Sequence, residues 1–306
     1  MSNTDIYIQR ALEANPLREP VLRSAIQALQ LSRGSQGLDA GCGIGLQMPL
    51  LAEAVGPDGH ISGIDIIPEL LAYGEDMIEK AGLSDRITFH AGDVSSLSFQ
   101  DNTFDWVWSA DCIGYPAAEL MPLLEELVRV IKPGGSVHIL AWSSQQLLPG
   151  YPLLEARLNA TCSAYIPFLQ DKSPQQNFMR ALHSFQKVGL EEVRAQTFVG
   201  DVQSPLISGE RTALISLFEM LWGEPQSEAS AEDWAEYQRL CQPGSADLIL
   251  DVPDYYAFFT YTMFGGKVPA RKVSKPDFGL NAEKKILDVI KTYGPTCPPD
   301  QWKTPP

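Results

Sequence analysis

Leu38-Asp39-Ala40-Gly41-Cys42-Gly43-Ile44-Gly45 is the stretch on which the fold turns. Gln36 to Ala40 reads as a short apolar strand that runs straight into three glycines. Leu46 to Val55 then has the pattern of a helix, closed by Gly56-Pro57-Asp58-Gly59. Glycines at a strand-to-helix turn allow positive φ and let a ligand lie against bare backbone. The helix that follows presents free N–H groups and the positive end of its dipole. Twenty-four residues after Gly41, Asp65 closes a second strand, His60 to Ile66. An acid there can accept hydrogen bonds from both hydroxyls of a ribose. The glycines are spaced G-x-G-x-G rather than G-x-G-x-x-G, and Asp39 precedes the first of them by two positions. A buried acid facing the crevice suits a ligand with a positive charge and repels a pyrophosphate. Both details turn away from a nicotinamide dinucleotide.

Outward from this turn the first half alternates strands and helices. Residues 5–15 and 19–31 read as two helices broken at Pro16 and Pro20. Pro68 to Ala81 starts with proline in its first turn and ends at Gly82. Arg86 to His90, Thr103 to Ser109 and Ser136 to Trp142 read as further strands. Ala117 to Ile131 is amphipathic, with Leu120, Leu123, Leu124, Leu127, Val128 and Ile131 on one side. This alternation predicts an α/β fold, a Rossmann-like doubly wound sheet. Beyond it, residues 143–175 read as a loop and short helix over the sheet. Gln175 to Val188 reads as a helix and Leu190 to Val199 as a sixth strand. Residues 208–224 and 230–241 read as two helices, Tyr255 to Phe264 as a seventh strand, and 281–293 as a last helix. The expected organisation is N-terminal helices over 1–35, an α/β domain over 36–275 with helical cap insertions at about 143–175 and 200–252, and a C-terminal helix and tail over 276–306. Most of the aromatic residues fall beyond residue 140. That excess points to an apolar or aromatic cavity under the cap.

Composition narrows the function. The 306 residues are 44% hydrophobic and 20% charged, and carry a formal net charge of −15. An acidic chain lacks the basic footprint that nucleic acid needs, and an anionic membrane surface repels it. No apolar run reaches the length of a membrane span, and the charged N-terminal residues do not form a signal-peptide core, so a cytoplasmic chain is expected. Cysteines 42, 112, 162, 241 and 297 and histidines 60, 90, 138 and 183 are scattered with no CxxC, so no metal site is expected. Nothing in the sequence sets an oligomeric state.

Four blocks in order carry a resemblance to a family. LDAGCGIG (38–45), ISGIDIIPELL (61–71), FHAGDVSSLSFQDNTFDWVWS (89–109) and LVRVIKPGGSVHILAW (127–142) resemble the cofactor motifs of class I S-adenosylmethionine-dependent methyltransferases. The similarity covers about residues 36–142 and is nearest to the small-molecule branch that includes ubiquinone- and menaquinone-biosynthesis enzymes. The resemblance implies a mostly parallel seven-stranded sheet and S-adenosyl-L-methionine as cofactor. It implies that Gly41, Cys42, Gly43 and Gly45 approach the methionine part and the sugar. Asp39 would lie near the ammonium, Asp65 on the ribose and Ile66 beside the adenine. Gly92, Asp93 and Val94 would meet the adenine edge, and Ser109 the methionine end. Cys42 is expected as a small packed residue rather than a reactive thiol.

The methyl of a sulfonium is already activated, so the enzyme mainly aligns an acceptor and excludes water. Asp111 and Tyr115, which follow the fourth strand, are the candidates for acceptor contact, Asp111 as proton acceptor or orienting group. Tyr7 and residues 19–23 are expected near the cofactor. Trp142, Tyr151, Phe168, Phe218, Trp222 and Tyr256 are the candidate walls of an acceptor site, and His90 and His138 are expected as core histidines. The expected partner is a small-molecule acceptor. Two alternatives stand at this point: a non-catalytic module that binds S-adenosylmethionine, and an NAD-linked oxidoreductase.

Overall fold

Gly37 shows how the first strand seats itself. A Cβ there would fall 2.0 Å from the Trp106 ring, so only glycine lets the indole cross β1 (Gln36–Ala40). The indole Nε1 then donates to Ser35 Oγ at 2.9 Å. Around β1 the computed structural model builds one seven-stranded sheet from β2 (His60–Asp65), β3 (Ile87–Ala91), β4 (Phe104–Ala110), β5 (Ile131–Gln146), β6 (Glu191–Gln203) and β7 (Tyr256–Lys267), in the order β3-β2-β1-β4-β5-β7-β6. The first five strands pair in parallel, and β7 runs antiparallel between β5 and β6. This is the expected doubly wound architecture. The structure describes residues 2–112, 120–160, 177–223 and 229–270. All of them belong to one compact unit that ends at Ala270. The proposed last helix at 281–293 lies outside them.

Strand order reverses between β1 and β4, and that is where a crevice opens at the carboxyl ends of such a sheet. Both faces are covered. On one, Leu38, Ile64, Val107 and Ile139 pack under α4 (Leu120–Val130) and α6 (Ala181–Lys187), whose Leu123, Leu124, Leu127 and Phe185 are buried at helical spacing. On the other, Ile61, Trp106 and Trp108 pack under α2 (Met48–Val55) and the rear half of α1 (Asn3–Ala28). Helix α3 (Pro68–Lys80) lies beside β2 and β3.

Helix α1 corrects the sequence reading. It runs unbroken from Asn3 to Ala28 with Pro16 and Pro20 inside it, where two helices were expected. Each proline removes one intrahelical bond, but the flanks are held independently. Ser2 and Asp5 form a capping box, Leu17, Val21, Leu22, Ala25 and Ile26 are buried, and Arg23 pairs with Glu19 and Glu53. Packing of the apolar rear half outweighs the two lost bonds.

The second correction concerns strand length. β5, β7 and β6 continue past the sheet's ligand edge, pairing as far as Gln146–Phe258 and Gln203–Tyr256. On this overhang sit α5 (Pro152–Ala160), α7 (Ser208–Trp222) and α8 (Ala231–Cys241). Buried Glu155 accepts the backbone N–H groups of Leu147 and Leu148, which closes the turn after β5. Helix α7 also packs on α1, with Gly209 against Pro16.

Candidate functional site

The glycine loop is shaped by its own backbone. Gly41, Gly43 and Gly45 all have positive φ (78°, 55° and 74°). A Cβ on Gly41 would sit 2.1 Å from Cys112 Sγ, and one on Gly45 would sit 2.7 Å from the Phe89 ring. The N–H groups of Gly41 and Cys42 both donate to Ile64 O, at 2.9 and 3.0 Å, which ties the loop to the end of β2. Asp65 closes the loop from the other side. Its Oδ2 accepts from Gly43 N at 2.9 Å and its Oδ1 from Ile67 N at 3.1 Å.

Over this loop lies a cavity of about 330 Å³. Its walls are the loop from Gly41 to Ile44, Leu46 and Gln47, Asp65, Ala110 to Cys112, and one face of α1. Of the residues picked from sequence, the cavity brings together Gly41, Cys42, Gly43, Asp65, Asp111 and Tyr7. Asp39 is not on the cavity wall: it is buried in β1 at 2% exposure, and burial, with the like charge of Asp65 nearby, pushes its carboxyl up to about 7. Cys42 is half-buried, with its thiol pKa raised by burial and then by Asp39 and Asp65. Burial likewise pushes Cys112 up to about 12. Neither is a thiolate at neutral pH, so neither is an activated nucleophile.

Other picks lie apart from the cavity wall. Ile66 is 65% exposed just after β2. Gly92 donates its N–H to Asp65 O at 3.0 Å, Val94 is half-buried, and Asp93 is exposed with its pKa lowered by the Ser95 backbone N–H, 2.8 Å away. These line the rim past β2 and β3. Ser109 is fully buried and donates to Ala40 O at 2.7 Å, a clip between β4 and β1. Tyr115 and Phe168 lie outside the described residues.

Asp111 has a positive φ of 52° and a carboxylate held on three sides. Oδ2 accepts from Arg18 Nη2 at 2.6 Å and from Tyr261 Oη at 3.1 Å, and Oδ1 accepts from Trp142 N at 3.0 Å. Arg18, Gln47 and Tyr261 were not picked from sequence. Gln47 takes the indole N–H of Trp108 at 2.7 Å. Tyr7, Ala11, Asn15, Arg18 and Leu22 follow one another by three or four residues along α1, a single helical face. That face is legible only when the helix is read through Pro16.

Phe218 and Trp222 take a different part from the one expected. Trp142, half-buried, stacks on Phe259 at 4.7 Å across β5 and β7, and Phe218 stacks on Trp222 at 5.7 Å deep in the cap. Phe218 is 0% and Trp222 3% exposed. These rings pack against one another instead of lining the cavity. Tyr256 is half exposed, and Tyr151 carries the Arg239 guanidinium over its ring. His138 is buried with Nε2 on Ser136 Oγ at 2.9 Å, and burial lowers its pKa to about 4. Its Nδ1 has no partner, so it is a core histidine only half satisfied. His90 packs edge-on against Phe99. Among the described residues no group of three or more His, Cys, Asp or Glu side chains is placed to hold a metal ion. Nor is any helix among them long and apolar enough to cross a membrane.

Comparison with known proteins places this geometry. Residues 38–135 match the family described as "Methyltransferase domain". The chain is 32% identical over 190 residues to the demethylmenaquinone methyltransferase of Bacillus cereus, covering 58% of this chain and 78% of that one. It is 29% identical over 191 residues to the enzyme of the same name from Bacillus pumilus, covering 58% and 80%. A solved chain from the complex of the Haloferax volcanii Trm112 methyltransferase activator with a methyltransferase shares the fold at a TM-score of 0.51 and 18% identity, over 88% of this chain and 99% of that one. The residues fit the donor these families use. A buried acid whose charge is disfavoured accepts an ammonium, bare glycine backbone admits a sugar, and each Asp65 oxygen keeps a lone pair for a hydroxyl. The chain belongs to the class I S-adenosylmethionine-dependent methyltransferases and transfers a methyl group to a small-molecule acceptor.

Proposed function

We propose that the acceptor is an apolar or aromatic small molecule that meets the donor at the Asp111 end of the cavity and is methylated by in-line displacement. The observation that carries this reading is the 330 Å³ cavity between α1 and the glycine loop, which has Ala110 and Asp111 on its wall together with Asp65. Demethylmenaquinone, the compound in the relatives' names, is the first acceptor to test. The matched region is 58% of this chain, so the acceptor itself is not inherited with the family.

S-Adenosylmethionine, when bound, supplies a methyl group on a positively charged sulfur. Asp39 pairs with the ammonium, and Asp65 takes the ribose hydroxyls while its other lone pairs stay on Gly43 and Ile67. Gly41, Cys42, Gly43 and Gly45 supply close backbone. Ile66, Gly92, Asp93 and Val94 frame the adenine on the rim, and Ser109 supports the methionine end through the β1–β4 clip. Helix α1 closes the site against water, and the cap over 143–160 and 208–241 bounds the acceptor. Asp111, already accepting three hydrogen bonds, works as an orienting group rather than as a base. Tyr115 remains the candidate for direct acceptor contact. Proximity is the main source of rate: an acceptor atom held about 3 Å from the methyl carbon reacts as an intramolecular neighbour.

The test is release of S-adenosylhomocysteine with a panel of acceptors: demethylmenaquinone, simple phenols and hydroquinones, primary amines, and amino acids. Turnover confined to the quinone and phenol classes is expected. Turnover confined to amines or amino acids overturns the acceptor reading and leaves the family assignment standing.

A further inference from the structure

The overhang of β5 is tied to the donor cavity at its root. Asp111, on the cavity wall, accepts the backbone N–H of Trp142 through Oδ1 at 3.0 Å. From there the strand runs past the carboxyl ends of the parallel strands, the edge at which ligands of such folds bind. The Trp142 indole lies flat on Phe259, 4.7 Å away and 4° from parallel, and meets Tyr261 edge-on at 5.5 Å. No other ring among the described residues stacks on it, so one face of a half-buried indole is left without an aromatic partner.

The indole N–H begins a chain of hydrogen bonds that can run in only one direction. Trp142 Nε1 donates to Gln145 Oε1 at 2.6 Å, Gln145 Nε2 donates to Asn159 Oδ1 at 3.0 Å, and Trp222 Nε1 donates to the same Oδ1 at 3.0 Å. An indole nitrogen donates and never accepts. Both ends of the chain therefore donate inward, and neither amide can turn over without setting N–H against N–H. Asn159 Oδ1 takes two donors, and its Nδ2 keeps both hydrogens, with no partner among the described residues. Donation into Oδ1 polarises the amide and strengthens those two hydrogens. Asn159 is half-buried in the last turn of α5, and Trp222, 3% exposed, fixes it from α7. The surplus of the network at Asn159 is thus oriented donors, one glutamine amide away from a bare indole face. That combination complements a planar ring carrying an oxygen that accepts hydrogen bonds. A protonated amine would meet N–H groups of like polarity there.

We infer that the acceptor lies on the face of Trp142 turned away from Phe259 and is read by Asn159 Nδ2 at a ring oxygen other than the group held at the methyl donor. Gln145 and Trp222 are positioning residues that aim the Asn159 amide. The inference rests on the aromatic-acceptor reading above and adds to it the group that is recognised.

Isothermal titration into the full-length protein saturated with S-adenosylhomocysteine tests it with two ligands of equal size, 4-methoxy-1-naphthol and 4-ethyl-1-naphthol. They share the hydroxyl and differ by one ether oxygen, which can only accept. The wild type binds the methoxy compound about 10-fold more tightly, the worth of one hydrogen bond from a held donor. Asn159→Asp keeps an oxygen for Gln145 and Trp222 but has no N–H to offer. It brings the two naphthols to within about twofold of each other, while S-adenosylhomocysteine affinity is unchanged; a purely structural role for Asn159 would move both naphthols together. Trp142→Phe keeps a ring on Phe259 and frees the Gln145 amide to turn, so it lowers the preference as well, and it decides if Asn159→Asp does not fold. Equal affinities in the wild type, or a preference that survives in the folded variant, overturn the inference. Binding of S-adenosylhomocysteine but of neither naphthol to the wild type overturns the aromatic-acceptor reading itself, and this inference with it.

Discussion

The donor edge of the sheet and the cap over it are built on opposite logics. At the donor edge, residues 36–67, local sequence does the work: three glycines with positive φ, an acid at the end of each strand, and backbone bonds from Gly41, Cys42 and Gly43 that pin the loop to β2. In the cap, aromatic and aliphatic side chains from β5, β7, α5, α7 and α8 meet across long sequence separations, as with Trp142 on Phe259 and Tyr255 Oη on Leu147 O. The first region is shaped by backbone and charge, and single atoms matter there. The second is a packed layer of side chains. The largest test of this contrast is Phe218→Ala. The ring is 0% exposed and stacked on Trp222, so its loss costs about 3–5 kcal/mol of stability. Because it does not reach the cavity, S-adenosylhomocysteine affinity and acceptor KM stay at wild-type values in the folded fraction. Thermal unfolding shows the first, and titration with steady-state kinetics the second. A selective rise in acceptor KM would instead return Phe218 to the pocket wall.

Charge gives the next effect. Asp39 has its native pKa raised to about 7 by burial, beside the like charge of Asp65. An unfolded aspartate titrates near 3.9, so between about pH 4 and 7 the folded protein binds more protons than the unfolded chain. Stability of the ligand-free enzyme therefore falls as pH rises through that window, by up to about 4 kcal/mol. Asp39→Asn flattens this fall and raises the melting temperature at pH 8. The same substitution weakens S-adenosylhomocysteine at pH 8 by about 10-fold or more, since the ammonium loses its partner. In the wild type, binding tightens as pH rises from 6 to 7.5, because the charged partner of the ammonium then forms without displacing a proton. Parallel melting and titration series at four pH values check both signs. A variant that gains stability but keeps its affinity would move the ammonium away from Asp39.

What the sequence made legible follows the same divide. The succession of strands and helices, the loop and Asp65 could be read because their signals are local: a glycine where φ must be positive, an acid at a strand end, a stripe at helical spacing. Arg18 and Tyr261 could not, because each gains its role from residues more than 90 positions away, Asp111 and each other. Reading Pro16 and Pro20 as breaks hid the α1 face altogether. Local propensity said two helices, and tertiary burial of Leu17, Val21 and Ile26 said one. The excess of aromatic residues beyond position 140 was real as a signal, but composition does not separate a ring that lines a cavity from a ring that fills a core. Phe218 and Trp222 do the second.

Glycine substitutions sharpen the contrast at the smaller end of the scale. Gly41→Ala places a methyl 2.1 Å from Cys112 Sγ at φ 78°, on the wall of the donor cavity. The loop must move away from Ile64 or Cys112 must turn, and either change reshapes the bed for the nucleoside. A loss of about 100-fold in S-adenosylhomocysteine affinity is expected, with β1–β2 pairing kept. Gly150→Ala is the matched control in the cap. Its φ is 88°, so alanine is strained there as well, but a Cβ would meet nothing within 4 Å. Left-handed backbone alone costs about 1–2 kcal/mol for a residue with a Cβ. The variant should lower the melting temperature by a few degrees while donor affinity stays within about twofold. If Gly150→Ala weakened the donor as strongly as Gly41→Ala, backbone geometry in the cap would be coupled to the glycine loop, and the two regions would have to be treated as one binding unit.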